Sequence, residues 1–466
     1  MQKEKMLNPD TTPAFLKDAL KFGIHLGLER MQALDQALGN LEMDLKVVHI
    51  AGTNGKGSVS SYLTHILAAS GLKVGVYTSP FLERFSERMR ILDGREGLRH
   101  YLEDDSYGEI PADVLERLSD KVKEAAKAVT SSGLEDPTEF ELVTAICYLW
   151  FAEEKVDIAV LETGLGGRLD STNVFDKPEL TLITSIGMDH SDRLGNSIAE
   201  ITSEKAGIIK PEVPLVIADP DSMILDVEGQ KDVRRVIEET AKAKNSPVIY
   251  VRADKGEPVY TPAGTMEFYF ENKKYETRLM GGHQAGNCSL AVKAAQMLAR
   301  KYSSITEETI SEGVKETRWK CRAEVLTKEP LVLLDGGHNV QGATSLGRVW
   351  GSMFGGAYKD SPVRLVIGVM KDKDVEGIIK AYRECGINIK EAYTVKVDNP
   401  RTMLPGELSH IIKVVYNHKV DVIEEDDPLK AVASAYESSK KDNIPLLVTG
   451  SLYLLGQIRG YLKGLI

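Results

Sequence analysis

A glycine-rich segment with one lysine and one serine is the first feature of this sequence that could do chemistry. It reads AGTNGKGS from Ala51 to Ser58, between an apolar strand-like run and a helical pattern. The backbone N–H groups of such a turn, with the positive end of the helix dipole, bind phosphate groups. Lys56 can reach the outer phosphates of a nucleotide, although a glycine separates it from Ser58, unlike the usual GK[ST] ending. We predict nucleotide contacts from Thr53, Asn54, Gly55, Lys56, Gly57 and Ser58; a simple turn is the alternative.

Two further strand-like runs end in side chains that could complete such a site. Glu162 ends the run DIAVLE, and Asp189 and His190 end the run TLITSIGMDH. Ligands of open α/β sheets bind at the carboxyl ends of the strands, and Mg²⁺ takes carboxylate, phosphate and water oxygens with occasional imidazole. We therefore predict a metal and phosphoryl-transfer site at Glu162 and His190. A salt bridge from Glu162 to Arg168 and a structural role for His190 are the alternatives.

Alternating strand and helix patterns must position these residues. Residues 45–78 read as a strand, a glycine-rich turn, a helix and a second strand, which is a βαβ unit. Further strand-like runs occupy residues 157–161, 181–186 and 213–218, with helical patterns at 139–154 and 197–207. The expected fold is a mostly parallel sheet with helices on both faces.

The pattern changes in the second half of the chain. Residues 248–279 read as short alternating strands, with EFYF and YETRL on either side of residues 271–274. This pattern predicts an antiparallel hairpin as a small side element. Helices near 286–302 and 307–317 then lead to a second strand and helix alternation, typical of a smaller Rossmann-like domain. We predict an α/β fold with a P-loop domain at residues 1–318 and a C-terminal α/β domain at 319–466.

Composition excludes several functional classes. The 466 residues suffice for two domains, and the net charge of −11 argues against a protein that binds duplex nucleic acid. Four widely spaced cysteines suggest neither a disulfide framework nor a cysteine zinc site. The N-terminus lacks the apolar core of a signal peptide, and no apolar run approaches the roughly 20 residues that span a bilayer. We expect a cytoplasmic protein.

The ordered motifs resemble those of the folylpolyglutamate synthase and dihydrofolate synthase family within the Mur ligase superfamily. They are AGTNGKGSV, VYTSP followed by RFSERMRI, PTEFELVTA, AVLETGLGGRLDSTNV, TSIGMDH, SEKAGIIKP, GGHQAGN, DGGHN, DKD and GSLYLLG, and they span nearly the whole chain. The resemblance implies a monomer that uses ATP, two Mg²⁺ ions, L-glutamate and a folate or dihydropteroate. It implies neither a nucleic-acid nor a membrane partner.

The resemblance also assigns roles to single residues. Ser79 and Glu162 would hold one Mg²⁺ and His190 the second, while Lys205 matches a lysine that the family carries as a carbamate; pairing of Lys205 with Glu204 is the alternative. Asn287 matches the adenine contact, and Arg322 and Asp335 match phosphate and ribose contacts from the second domain. The substrate pocket maps to Gly27, Leu28, Glu29, Arg30, Phe140, Arg168 and Asp170. The sequence departs from the family pattern at Phe81, Cys321, Gly337 and Val340.

The reaction implied by this resemblance is ATP-dependent ligation. ATP would phosphorylate the folate γ-carboxylate, and the glutamate amine would then attack the acyl phosphate to form an amide. Another Mur-type ligase acting on a peptidoglycan precursor shares the same phosphate and metal logic. A P-loop nucleotide switch is an alternative of a different class, and it predicts nucleotide hydrolysis that is unaffected by glutamate and folate.

Overall fold

The computed structural model describes residues 12–19, 23, 25–43, 45–189 and 191–466. Its first domain is built on a seven-stranded sheet. The strands are β1 (Val47–Ala51), β2 (Lys73–Tyr77), β3 (Met89–Asp93), β4 (Ile158–Glu162), β5 (Leu180–Ile183), β6 (Leu215–Ala218) and β7 (Val248–Val251). They lie in the order β3-β2-β4-β1-β5-β6-β7, and only β3 runs antiparallel to its neighbour. All residues of β1 and β4 are buried, as expected for central strands covered on both faces.

Helices cover both faces of this sheet. They are α1 (Ala14–Ala19), α2 (Glu29–Leu38), α3 (Lys56–Ala69), α4 (Gly94–Glu103), α5 (Ala112–Ser131), α6 (Glu139–Glu153), α7 (Ser191–Leu194), α8 (Ile198–Ala206), α9 (Val227–Ala243), α10 (Gly282–Leu298) and α11 (Glu307–Glu316). Helix α3 packs with α10 and α11, whereas α2, α5 and α6 form a separate layer with its own apolar core. The helix α6 begins with a capping box between Thr138 and Glu141, which satisfies two free backbone donors.

The predicted side element is a three-stranded antiparallel ribbon. Its strands are β8 (Val259–Tyr260), β9 (Met266–Phe270) and β10 (Lys273–Thr277). Lys273 pairs with Phe270, so the turn contains only Glu271 and Asn272, and both adopt positive φ angles of 52° and 62°. The hairpin prediction is confirmed, with a shorter turn than the sequence suggested.

The second domain is a six-stranded α/β layer. Its strands are β11 (Glu324–Lys328), β12 (Leu331–Asp335), β13 (Pro362–Ile367), β14 (Asn388–Val395), β15 (Asp421–Glu425) and β16 (Leu446–Thr449), and its helices are α12 (Val340–Gly356), α13 (Val375–Glu384), α14 (Pro405–Val415), α15 (Pro428–Asp442) and α16 (Leu452–Leu465). The strand order is β11-β12-β16-β13-β14-β15, with β11 antiparallel at the edge. The predicted fold class is confirmed, but the sequence analysis missed the antiparallel edge strands β3 and β11.

Residues 317–323 join the two domains, between the end of α11 and the start of β11. We call them the connecting segment. The predicted boundary at residues 318 and 319 falls within it and stays a prediction. A cavity of about 120 Å³ lies between the domains, with Ser79, Glu162, Trp319 and Arg322 among its lining residues. Within the described part of the chain, no helix has both the length and the apolar character needed to span a membrane.

Candidate active site

The glycine-rich loop after β1 is bonded to the segment after β5. The Thr53 N–H donates to the Ser185 carbonyl at 2.8 Å, and the Thr184 hydroxyl donates to the Asn54 carbonyl at 2.7 Å. Gly52 has a φ of 152°, and a Cβ at this position would lie 1.8 Å from the Thr184 Oγ1. Only glycine therefore allows the loop to lie this close to the neighbouring strand end.

The loop delivers Lys56 to the start of α3. Gly55 is the N-cap of this helix, with a φ of 91° that favours glycine. The Lys56 ammonium donates to the Gly52 carbonyl at 3.2 Å and lies 4.0 Å from the Glu162 Oε1. A lysine, free helix N–H groups and a glycine turn thus share one place, which is the arrangement that binds nucleotide phosphates.

Helix α10 lies across the same loop. The buried Gln284 side chain donates to the Ser58 hydroxyl at 3.2 Å, and the Asn287 amide donates to Gln284 at 3.1 Å. A Cβ on Gly55 would lie 2.5 Å from the Asn287 Oδ1. The predicted adenine contact, Asn287, is therefore directly beside the phosphate loop.

Glu162 is a buried carboxylate at the end of β4, with 4% of its surface exposed. Burial raises its pKa to about 7, because loss of water outweighs the nearby positive charges of Lys56 and Arg322 and a hydrogen bond from the Ser79 backbone. The alternative partner Arg168 instead donates to Glu204 at 2.7 Å. The Glu162 carboxylate thus remains available to a ligand in the cavity that it lines.

Lys205 in α8 is buried against the same loop. Its ammonium donates to the Gly52 carbonyl at 2.9 Å, so Lys56 and Lys205 share this acceptor. Burial and the positive charge of Lys56 lower the pKa of Lys205 to about 7. Glu204, the alternative partner of Lys205, instead accepts a hydrogen bond from Arg168. With this pKa, a large fraction of the Lys205 side chains is uncharged at neutral pH, and an uncharged amine is a nucleophile.

The residues around Glu162 fit a bound cation. The carboxylate is held out of water with a raised pKa, so a divalent ion would stabilise its charged form. Ser79 lines the same cavity. His190, the predicted ligand of a second ion, lies outside the described residues. Among the residues that are described, no three His, Cys, Asp or Glu side chains form a group able to hold a metal by themselves. A single ion that also takes phosphate and water oxygens agrees with this arrangement.

Arg322 in the connecting segment and Asp335 in β12 lie close to each other. Asp335 ends β12, and its carboxylate accepts the N–H groups of Ala323 and Gly337, both at 2.9 Å. Burial raises the pKa of Asp335. Arg322 lines the cavity that Glu162 also lines. Asp335 therefore fixes the backbone next to Arg322, while the roles of Arg322 and Asp335 in nucleotide binding stay predictions.

The predicted substrate residues at the start of α2 contact the α6 layer. The Arg30 Nε donates to both oxygens of Glu141 at 3.1 Å, and its Nη2 donates to the His25 carbonyl at 2.8 Å. Gly27 is buried, Leu28 is half-buried and Glu29 is exposed. These contacts join α2 to α6. The role of Gly27, Leu28, Glu29 and Arg30 in substrate binding stays a prediction.

Asp170 and Phe140 shape the glycine-rich loop after β4. The Asp170 carboxylate accepts the Leu165 N–H at 2.8 Å with one oxygen and the Thr172 N–H at 3.0 Å with the other. A Cβ on Gly164 would lie 2.5 Å from the Phe140 Cζ. Asp170 thus supports its own loop, while Phe140 packs directly on that loop. Their contacts with substrate, and that of the half-exposed Arg168, stay predictions.

Trp319 is a site residue that sequence reasoning missed. It lies in the connecting segment and lines the cavity between the domains. A Cβ on Gly57 would lie 2.7 Å from the Trp319 Cζ2, so the indole packs on the phosphate loop itself. The glycine between Lys56 and Ser58 was the available signal, since it departs from the usual loop ending to leave room for a ring.

Comparisons with known proteins decide the family. The Mur ligase middle-domain model matches residues 50–295, and the C-terminal-domain model of dihydrofolate synthetase matches residues 320–463. The dihydrofolate synthase/folylpolyglutamate synthase of Bacillus subtilis is 35% identical to this chain, over 97% of this chain and 98% of that protein. The chain belongs to the dihydrofolate synthase/folylpolyglutamate synthase family.

Other members of this synthase family agree in sequence and structure. The Escherichia coli dihydrofolate synthase/folylpolyglutamate synthase is 29% identical over 96% of this chain and 93% of that protein. The crystal structure of folylpolyglutamate synthase from Thermotoga maritima is 31% identical, with a TM-score of 0.76 and 96% of both chains covered. The predicted family, the fold and the assignment to the ATP-dependent ligases are thus confirmed.

Proposed function

We propose that this synthase family member joins L-glutamate to the γ-carboxylate of a folate at the expense of ATP. The observation that carries the proposal is the meeting of the Lys56 loop, Glu162 and Arg322 around one cavity between the domains. That cavity lies at the carboxyl ends of β1, β2 and β4, where open α/β sheets bind their ligands.

Amide formation from a carboxylate needs prior activation, because the charge and resonance of the carboxylate repel an amine. In the proposed sequence a carboxylate oxygen attacks the γ-phosphorus of ATP, and ADP leaves. The glutamate amine then attacks the acyl carbon and loses a proton. Phosphate leaves with one oxygen of the original carboxylate. This chemistry requires no nucleophilic side chain, so the protein contributes position and charge.

The residues of the site supply that charge. Lys56 and the N–H groups at the start of α3 bind the phosphates, and Arg322 reaches the cavity from the connecting segment. Mg²⁺ held by Glu162 and Ser79, with a second ion at His190, would neutralise phosphate charge and polarise the transferring group. Asn287 beside the loop would contact the base of the nucleotide, and Asp335 its ribose.

The position of the site between two domains protects the intermediate. An acyl phosphate reacts with water, so ligation requires that water be excluded before the amine arrives. Trp319 of the connecting segment and Leu452 of the second domain line the cavity. Approach of the two domains would bring Arg322 to the phosphates and expel water in the same step.

The names of the relatives suggest the acceptor. The Bacillus subtilis and Escherichia coli relatives carry both synthase names, and E. coli FolC has been solved in complex with DHPP and ADP at 25% identity to this chain. We infer that dihydropteroate is a second acceptor of the same cavity.

The decisive assay mixes the protein with ATP, Mg²⁺ and glutamate and compares tetrahydrofolate with dihydropteroate by product mass. We expect one added glutamate residue per ADP released, with each acceptor. Lys56→Ala and Glu162→Ala should abolish this release while the far-UV circular dichroism spectrum is retained. ADP release that ignores both glutamate and folate would instead indicate a nucleotide switch, and ligation restricted to a peptidoglycan precursor would indicate the other superfamily activity.

A further inference from the structure

A buried arginine in the last helix joins the two domains. Arg459 in α16 is 4% exposed, and its Nη1 donates to Glu83 of the first domain at 2.8 Å. Its Nη2 donates to Asp105, also of the first domain, at 2.9 Å and to Glu324 of β11 at 2.6 Å. One guanidinium thus binds carboxylates from both domains, which is the fork geometry that arginine provides.

The connecting segment binds the same carboxylates. The Lys320 ammonium lies 3.3 Å from Glu83, 3.0 Å from Glu87 and 3.4 Å from Asp105. Its side chain is 14% exposed. We call Glu83, Glu87, Asp105, Lys320 and Arg459 the inter-domain charge cluster. It contains charges from the first domain, the connecting segment and the last helix.

The cluster holds the loop formed by residues 79–87, which we call the Ser79 loop. The Glu87 carboxylate accepts the N–H groups of Leu82 at 2.8 Å and Glu83 at 3.2 Å. Helix α16 packs on the same loop, since a Cβ on Gly456 would lie 1.9 Å from the Leu82 carbonyl oxygen. The Ser79 loop is therefore fixed by helix packing and by buried charge together.

The Ser79 loop and the connecting segment both extend from the inter-domain charge cluster to the active site. Ser79 begins the loop, and its backbone bonds to Glu162. Lys320 stands two residues before Arg322 in the connecting segment. We propose that Arg459 and Lys320 are positioning residues, which hold the Ser79 loop and Arg322 in the relative placement that phosphoryl transfer requires. The proposal rests on the proposed function, because it concerns the same ligation.

Buried charge makes this placement sensitive to a single change. Glu83 is 3% exposed, and removal of the Arg459 guanidinium leaves its carboxylate with the Lys320 ammonium at 3.3 Å and the Arg84 guanidinium at 3.8 Å. Buried carboxylates that lose a partner must move toward water or bind a proton. Either response displaces the Ser79 loop, whereas the nucleotide loop after β1 belongs to another part of the sheet.

The chain offers a matched control for this test. Arg364 is also 4% exposed and binds two carboxylates, Glu391 and Asp442. All three lie within the second domain, so Arg364→Gln disturbs a buried ion pair without touching the connection between domains. Arg459→Gln removes the inter-domain contacts, Arg459→Lys keeps the charge, and Asp105→Asn removes one carboxylate of the cluster at constant size.

The experiment measures kcat for glutamate-dependent ADP release, the affinity for ADP and the emission of Trp319, isolated by difference against a Trp319→Phe background. We expect Arg459→Gln and Asp105→Asn to lower kcat by roughly 10- to 100-fold, to change ADP affinity by less than about 3-fold, and to shift Trp319 emission. Arg459→Lys should recover part of kcat. Arg364→Gln should keep kcat and the Trp319 spectrum of the wild type.

Three results would overturn the proposal. The first is a kcat for Arg459→Gln equal to that of the wild type or of Arg364→Gln. The second is an equal loss of kcat and ADP affinity, which would indicate general damage. If Arg459→Gln does not fold, the test rests on Asp105→Asn alone. The third result is then a wild-type kcat in Asp105→Asn. Absence of ligation in the wild type would instead refute the proposed function, and Trp319 emission would still test the cluster.

Discussion

Replacement of Lys205 by methionine should abolish ligation and yet stabilise the nucleotide-free protein at neutral pH. Lys205 is 3% exposed, and burial followed by the charge of Lys56 lowers its pKa from 10.5 to about 7. At 1.36 kcal/mol per pKa unit, a shift of this size corresponds to a penalty of about 5 kcal/mol for burying the charge. Loss of the hydrogen bond to Gly52 offsets about 1 kcal/mol, which leaves a net gain of about 2–4 kcal/mol after relaxation.

The sign of the pH dependence follows from the lowered pKa of Lys205. Below pH 7 the lysine is protonated in both the folded and the unfolded state, so the whole penalty is present. Between pH 7 and 10.5 the unfolded chain binds the proton and the folded protein does not, so the free energy of unfolding rises with pH. The advantage of Lys205→Met should therefore shrink across this range.

Urea unfolding at pH 6.5 and 9.5, in CO₂-free buffer without nucleotide, measures this difference. Lys205→Met should be the more stable protein at pH 6.5, and the gap should be clearly smaller at pH 9.5. Lys242→Met, at a lysine near the end of α9, serves as a control for loss of one positive charge. The reasoning would be refuted if Lys205→Met were less stable than the wild type at pH 6.5. It would also be refuted if the difference in free energy of unfolding between the two proteins were the same at both pH values.

The same pKa bears on the predicted carbamate. At pH 7 about half of the Lys205 side chains would be neutral, against about one in 3,000 for an ordinary lysine. The neutral Nζ can attack the carbon of CO₂ and release a proton to water, which leaves an anionic carbamate. Bicarbonate labelled with ¹³C should therefore give a carbamate signal in the NMR spectrum of the wild type but not of Lys205→Met. Lys205→Ala should lose activity and regain part of it with short carboxylic acids, and no labelled signal in the wild type would count against the carbamate.

Three further predictions concern the loops and the cation. Gly52→Ala should destabilise the protein and weaken ADP binding, measured by calorimetry, because the new Cβ would clash with Thr184. In the control Gly133→Ala the new Cβ meets nothing within 4 Å, so this change should cost only about 1 kcal/mol of backbone strain. Equal losses of stability in the two variants would contradict this prediction. Asp170→Asn should lower the free energy of unfolding by about 1–3 kcal/mol, since its carboxylate binds two backbone N–H groups, and an unchanged urea midpoint would argue otherwise. Mg²⁺ affinity should rise as pH increases through about 7, where the raised pKa of Glu162 lets it ionise, and should be flat in Glu162→Gln.

Much of the core fold could be predicted from the sequence because local signals were strong. Strands β1 and β4 are buried on both faces, so they read as continuous apolar runs. The loop before α3 carries glycines at positions with φ angles of 152° and 91°, which is why its pattern could be recognised. The positions of Lys56 and Glu162 followed from these two elements, since neighbouring parallel strands end at one edge.

The antiparallel edge strands were missed for a physical reason. Strand β3 pairs with β2 at one edge of its sheet, and β11 pairs with β12 at the edge of the other. The residues of β11 are half-buried or exposed, so they give only a weak sheet-period pattern. The first four residues of β3 are buried, so incomplete burial does not explain why that strand was missed. Such pairing depends on partners distant in sequence rather than on local pattern.

Part of the site could not be predicted because its contacts join distant residues. The sequence left a salt bridge between Arg168 and Glu162 open as an alternative, but Arg168 pairs with Glu204, 36 residues away. Arg459 and Glu83 are 376 residues apart and meet only when both domains are in place. Nothing in either local sequence marks that pair, since a charged residue on an amphipathic helix is usually exposed.

The transfer of an oxygen atom from the folate to phosphate tests the central claim most directly. The experiment supplies tetrahydrofolate with both oxygens of its γ-carboxylate labelled with ¹⁸O, together with ATP, Mg²⁺ and glutamate, and measures the released phosphate by mass. Activation by phosphoryl transfer predicts one labelled oxygen in each phosphate and one in the new amide. Unlabelled phosphate formed alongside the glutamate adduct would show that the carboxylate never bonds to phosphorus, and would contradict the account.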